Sequence, residues 1–254
     1  QPTSREDLLT VHSADFVDTV IALEEGETPP DIYAYGLGTG DNPIFPGIYQ
    51  ASALYSGASL LAAEKVFGGE VAAAFNIAGG LHHAHRNRAA GFCIFNDPAL
   101  AIKKLLQLSQ GEARIIYLDI DAHHGDGVQE TFYDNPKVLT ISLHETGQSL
   151  FPGSGLGEEI GAGAGKGYAV NLPFAPDTED EPYLWAFEEI VPPLVRAFRP
   201  DFLCTQLGVD THYLDPLTHL SLTTAAYEQM FAEMREMAQD RKSTRLNSSH
   251  GKLS

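Results

Sequence analysis

A mixed α/β fold, with a mainly parallel sheet between two layers of helices, follows from three features of the sequence. Short apolar runs alternate with stretches of helical periodicity. Those runs are nearly unbroken rather than alternating polar and apolar, as expected of strands buried on both faces. Almost every cluster of polar residues falls just after one of them, where open parallel sheets bind their ligands. At 254 residues and 43% hydrophobic content, the chain suits one large domain.

In chain order, strands are expected over 71–77, 114–120, 138–143, 168–172 and 201–207. Helices are expected over 55–66, 98–108, 181–198 and 225–237. Within 181–198, Leu184, Phe187, Ile190, Val191, Leu194, Val195 and Phe198 recur at spacings that make one apolar stripe. Pro192-Pro193 inside that stripe predicts a kink or a split. The loops 78–92, 122–127, 144–165 and 208–218 follow strand ends. Glycine-rich 161–167 precedes a strand and lacks the Gly-Lys-Ser/Thr ending, so it does not read as a phosphate loop. The last stretch, 241–254, holds four basic residues (Arg241, Lys242, Arg245, Lys252), no acidic ones and no periodicity. It reads as a polar tail, either disordered or foreign to the domain.

Composition excludes several classes. A net charge of −18 argues against nucleic acid, which proteins grip with Lys and Arg. No apolar run approaches the length of a membrane span, and the N-terminus lacks a signal-peptide layout. The two cysteines, Cys93 and Cys204, lie far apart and suit a reducing, cytoplasmic setting better than a disulfide framework. Oligomeric state is not legible.

The chemistry concentrates in 119–126, Asp-Ile-Asp-Ala-His-His-Gly-Asp, directly after an apolar run. Three carboxylates and two imidazoles so close together cost folding free energy unless a cation occupies them. Alternate residues of a strand share a face, so Asp119, Asp121 and His123 can point to one spot. A catalytic zinc takes three N/O ligands. Asp121 and His123 supply two, and Asp210, after the apolar run 202–207, supplies the third. The pair His82-His83 after Gly79-Gly80 offers a proton acceptor and donor suited to neutral pH. Asp119 and Asp126 remain to orient these imidazoles.

Leu81-His-His-Ala, Gly91-Phe-Cys-Ile-Phe-Asn-Asp97, Leu118-Asp-Ile-Asp-Ala-His-His-Gly-Asp-Gly-Val128, Phe151-Pro-Gly-Ser-Gly155 and Gly208-Val-Asp210 occur in that order. In them the chain resembles the histone deacetylase superfamily, and Tyr35–Pro43 is similar to its prokaryotic acetoin-utilisation type. The resemblance implies the arginase/deacetylase α-β-α fold and zinc, or ferrous iron, at Asp121, His123 and Asp210. It pairs His82 with Asp119 and His83 with Asp126, with His83 as proton shuttle. Gly91, Phe92 and Phe151 would form a tunnel for the stem of an acyl-lysine, and Asp41 would hold the substrate backbone. Structural potassium or sodium would sit at Asp119, Asp121, His123, Ser142 and Leu143, with a second site at Phe132, Asn135, Val138 and Tyr168.

The resemblance further implies a His-Pro segment before the first helix, and a late Gly-Gly-Gly-Tyr motif whose hydroxyl binds the substrate carbonyl oxygen. Neither occurs in this sequence. Residues 1–240 are therefore expected to be an incomplete deacetylase domain. The expected activity is removal of acetyl or other acyl groups from lysine. An acylpolyamine or other small acyl-amine substrate, or an inactive acyl-lysine-binding fragment, stays open. Arginase-type chemistry with two manganese ions is disfavoured, because Gly125 and His212 stand where further carboxylate ligands are needed.

Overall fold

A computed structural model describes residues 1–239; the expected tail at 241–254 lies outside the described residues. The chain divides into two compact units. One comprises Gln1–Gln110 with Asp126–Thr131, the other Gly111–Gly125 with the chain from Phe132 onward.

The first unit is helical: α1 (Arg5–Leu8), α2 (Ala14–Glu24), a 3₁₀ turn (Ile32–Tyr35), α3 (Ile48–Phe67) and α4 (Asp97–Leu108). Helix α3 starts well before the expected 55, because residues 48–54 continue the same packing face through the buried Ile48, Ser52 and Ala53. Small residues on α3 admit the N-terminal segment. A Cβ at Gly57 would stand 2.1 Å from the Gln1 carbonyl oxygen, and Thr3 donates its N–H to the Ala53 carbonyl (2.8 Å). Helix α4 starts at Asp97, one residue before the expected 98. Asn96 caps it by accepting the N–H of Ala99 (2.9 Å), and Pro98 lies in the first turn. Phe16, Phe95 and His12 pack ring against ring between these helices.

The second unit holds the sheet: β1 (Ile115–Asp119), β2 (Val138–Glu145), β3 (Ala169–Phe174) and β4 (Phe202–Gln206), all parallel in the order β3-β2-β1-β4. Central β1 and β2 are buried at every residue, as unbroken apolar runs require. Helices α6 (Asp180–Phe198) and α7 (Thr224–Gln239) join their core. The α/β class with a parallel sheet is thus what the sequence forms. Short α5 (Asp126–Phe132) starts inside the expected loop 122–127.

Two expectations fail. Residues 71–77 form no strand; Phe75 and Ile77 are exposed, and Asn76 ties the segment to Tyr55 and Ser59. β-Propensity is realised only against a ladder partner, which periodicity cannot name. The split considered at Pro192-Pro193 does not occur, since helix α6 is continuous through both prolines. The carbonyls that lose their donors there belong to Glu188 and Glu189, both exposed, where water serves them. On its buried face stand Tyr183, Phe187, Val191, Val195 and Phe198; Tyr183 was not in the expected stripe, and Ile190 faces outward. Among the described residues, no helix is long and apolar enough to cross a membrane.

Candidate active site

In the second unit, β1 ends at Asp119, level with Ser142 of β2 and Gln206 of β4. The chain continues to Asp121 and His123, while Asp210 follows the end of β4. Their ligand atoms lie within 4.8 Å of one another, and the group could hold a metal ion. His123 Nδ1 is 3.0 Å from Asp121 Oδ1 and 2.8 Å from Asp210 Oδ2. Backbone and side-chain donors fix the carboxylates. The Ala122 N–H donates to Asp210 Oδ1 (2.8 Å), the His123 N–H to Asp121 Oδ1 (2.8 Å), and Gln206 Nε2 to Asp121 Oδ2 (2.8 Å).

Burial disfavours a charged His123, but hydrogen bonds to Asp121 and Asp210 prevail and hold its imidazole up to about 10. Burial, with the Asp121 carboxylate as neighbour, pushes the Asp210 carboxyl up to about 6. Two half-buried carboxylates converging on one imidazole are the donor set and charge imbalance that a divalent ion satisfies. Fully buried Asp119 stands behind them, accepting the Tyr117 hydroxyl (2.7 Å) and the Asp121 N–H (3.1 Å).

Sequence reasoning missed the groups that hold this loop. Besides Gln206, Tyr227 of α7 bonds the Val209 carbonyl (3.1 Å) and the Thr211 hydroxyl, and Thr218 bonds the Asp210 carbonyl. His124, left without a catalytic role, is buried against Ser154 (2.9 Å) and the His144 ring. Phe151 is partly exposed, its ring centroid 6.4 Å from that of His123. Of the expected monovalent sites, Asp119 and Ser142 are ladder partners, and Phe132, Asn135 and Val138 share one run of turns.

In the first unit, His82 and His83 are buried, with their Nε2 atoms 3.0 Å apart. His83 Nδ1 lies 2.7 Å from Asp126 Oδ1, so the structure brings that expected pair together. Asn96 and Asp97, given no role by the sequence, clamp the loop that carries the histidines. Asn96 Nδ2 donates to the His82 and Ala84 carbonyls (3.0 and 2.9 Å), and Asp97 Oδ1 accepts the N–H groups of Gly80 and Leu81 (3.0 and 2.9 Å). Burial pushes the Asp97 carboxyl up, against these bonds. Gly127 lets α5 approach, since a Cβ there would stand 2.4 Å from the Ala84 carbonyl oxygen.

Gly91 and Phe92 occupy the tip of a two-residue turn closed by reciprocal hydrogen bonds between Ala90 and Cys93 (3.1 and 2.8 Å). Both have positive φ, +50° and +68°, and Phe92 is 65% exposed. Asp41 is exposed on the loop after the 3₁₀ turn, and the Tyr35 carbonyl on that turn accepts the Ala89 N–H (2.9 Å).

Residues 1–251 match the histone deacetylase domain. The acetoin utilization protein AcuC of Bacillus subtilis (strain 168) is 47% identical over 228 residues, which cover 89% of this chain and 58% of that protein. AcuC of Staphylococcus xylosus is 41% identical over 219 residues, covering 86% and 56%. The crystal structure of an HDAC homolog from Aquifex aeolicus superposes with a TM-score of 0.86 at 37% identity, covering 93% of this chain and 63% of that one. The structure of an HDAC homolog complexed with SAHA gives the same figures. The chain thus spans less than two thirds of the length of these relatives.

Proposed function

Because the chain belongs to the histone deacetylase family, we propose that it carries the metal-binding and proton-transfer residues of a zinc-dependent hydrolase that removes acyl groups from lysine side chains. The observation that carries this reading is the convergence of Asp121, His123 and Asp210 at two adjacent strand ends. These three would hold zinc, with ferrous iron as the alternative from the same donor set. When bound, such an ion supplies a Lewis acid that polarises an amide carbonyl and acidifies water.

The chain's own residues move the protons. His83, with Nδ1 on Asp126 and Nε2 3.0 Å from that of His82, would accept at Nε2 the proton of the attacking water and then donate it to the departing amine. His82, paired with Asp119, would stabilise charge beside it. The exposed rings of Phe92 and Phe151 suit an aliphatic stem, with Gly91 keeping the tip of the first turn narrow. Asp41 would accept backbone N–H groups of the substrate. The net charge of −18 favours a substrate with positive charge, either a lysine-bearing peptide or an acylated polyamine. Potassium or sodium at the β1–β2 carbonyls would be structural.

The test is zinc stoichiometry together with free-amine release from an acetyl-lysine peptide. Asp121→Ala and Asp210→Ala should lose zinc, whereas His83→Ala should keep zinc and lose turnover. Unchanged zinc in both aspartate variants would overturn the ligand assignment. Zinc uptake and peptide binding without amine release from the parent chain would reduce it to an acyl-lysine-binding module.

A further inference from the structure

We propose that His85 is a positioning residue that sets the charge state of His83 by competing with it for the carboxylate of Asp126. The role rests on the reading of His83 as the proton acceptor. Helix α5 places Asp126 and Glu130 one turn apart, on the same face. The turn 82–85 brings two imidazoles to that face. Asp126 Oδ1 lies 2.7 Å from His83 Nδ1, and Asp126 Oδ2 lies 3.2 Å from His85 Nε2. The other nitrogen of His85, Nδ1, bonds Glu130 Oε2. The four side chains form a line from a buried base, His83 at 6% exposure, to an exposed carboxylate, Glu130 at 59%.

The groups facing His85 are few. From α5 come Asp126 and Glu130. From its own turn comes Arg88, whose Nη2 is 3.2 Å from His85 Nε2 and whose carbonyl accepts the His85 N–H (2.9 Å). From the segment before α2 comes neutral His12, which touches only the backbone carbonyl of His85 (2.9 Å). His83 faces His82 and Asp126.

Burial disfavours charge on His85, but the two carboxylates prevail and hold it up to about 9, so it is an imidazolium at neutral pH. Against burial, His83 and His85 together hold Asp126 well below the usual carboxylate range. A cation on one oxygen weakens what that carboxylate offers the other. Without it, the full charge of Asp126 would fall on His83 and hold a proton there more tightly, and a protonated His83 cannot accept another. The sequence signal is His83-x-His85 with Asp126-x-x-x-Glu130, visible only once α5 is known to be a helix.

The experiment is an NMR titration of the imidazoles in the full chain, with and without added zinc, assigned by His83→Gln. His85→Gln should raise the midpoint of His83 by about one pH unit, and charge-keeping His85→Lys should return it to the parent value. An unmoved midpoint in His85→Gln, or equal shifts in both variants, overturns the proposal. Should His85→Gln fail to fold, the parent chain decides. The His83 resonance must show a second inflection where His85 deprotonates, and a single step overturns the coupling. The acid limb of kcat/KM on an acetyl-lysine peptide should rise with the midpoint. A midpoint that moves while the limb stays fixed upholds the coupling and removes His83 from proton transfer.

Discussion

The Nε2 of His12 accepts the backbone N–H of Asn96 at 3.0 Å, while its Nδ1 donates to the carbonyl of His85 at 2.9 Å. One neutral imidazole therefore joins the cap of α4 to the turn that carries the histidine pair. Both ring nitrogens are committed, and only the neutral tautomer satisfies both bonds.

Stability should therefore fall on acidification. Burial lowers His12 from 6.5 to about 4, against the backbone bonds to His85 and Arg86 that favour its charged form. The unfolded chain takes up a proton below 6.5 that the folded chain refuses until about 4. The contribution of His12 is thus complete above 6.5 and is lost as pH drops through that window. The loss is about 2 kcal/mol by pH 5 and about 3 kcal/mol below pH 4. Urea denaturation across this range measures it, and NMR must find the folded imidazole uncharged at pH 5. A folded midpoint near 6.5 would contradict the account.

Asn96→Ala should cost about 2–4 kcal/mol, because it removes a helix cap and a buried donor to two carbonyls. Zinc uptake should stay near that of the parent, since the triad draws no bond from Asn96. A variant as stable as the parent would show that water replaces the side chain.

Gly208→Ala tests how tightly the metal loop is built. Its Cβ would stand 2.3 Å from Asp121 Oδ2, so that carboxylate must turn away. Zinc affinity should fall by about 10–100-fold, the usual scale for disturbing the groups that orient a ligand. An unchanged zinc dissociation constant would mean that Asp121 has room the structure does not show.

Phe92→Asn should stabilise the fold and impair substrate binding. Phenylalanine at φ +68° is strained, whereas asparagine tolerates that region, a gain of about 0.5–1 kcal/mol. If the exposed ring grips an acyl-lysine stem, KM should rise while zinc content holds. Unaltered KM would remove Phe92 from the substrate path.

By itself the sequence determined the parallel sheet and the chemistry-bearing strand ends. An unbroken apolar run is buried on both faces where it takes a central place in the sheet, as β1 and β2 do, and Asp-x-His after such a run emerges at its carboxyl end. Residue type and spacing named Asp121, His123 and Asp210, while the pair of His83 with Asp126 came from the resemblance to a family. Tertiary structure alone decided the rest. It left 71–77 without a strand, since a ladder needs a partner, and it kept α6 continuous through two prolines, since the residues whose carbonyls lose their donors are exposed. It made His12, Asn96 and Asp97 supports of the histidine loop and Gln206 a support of Asp121, and it gave Asp126 a second imidazole in His85. Such contacts join residues far apart in the chain, so no local pattern announces them.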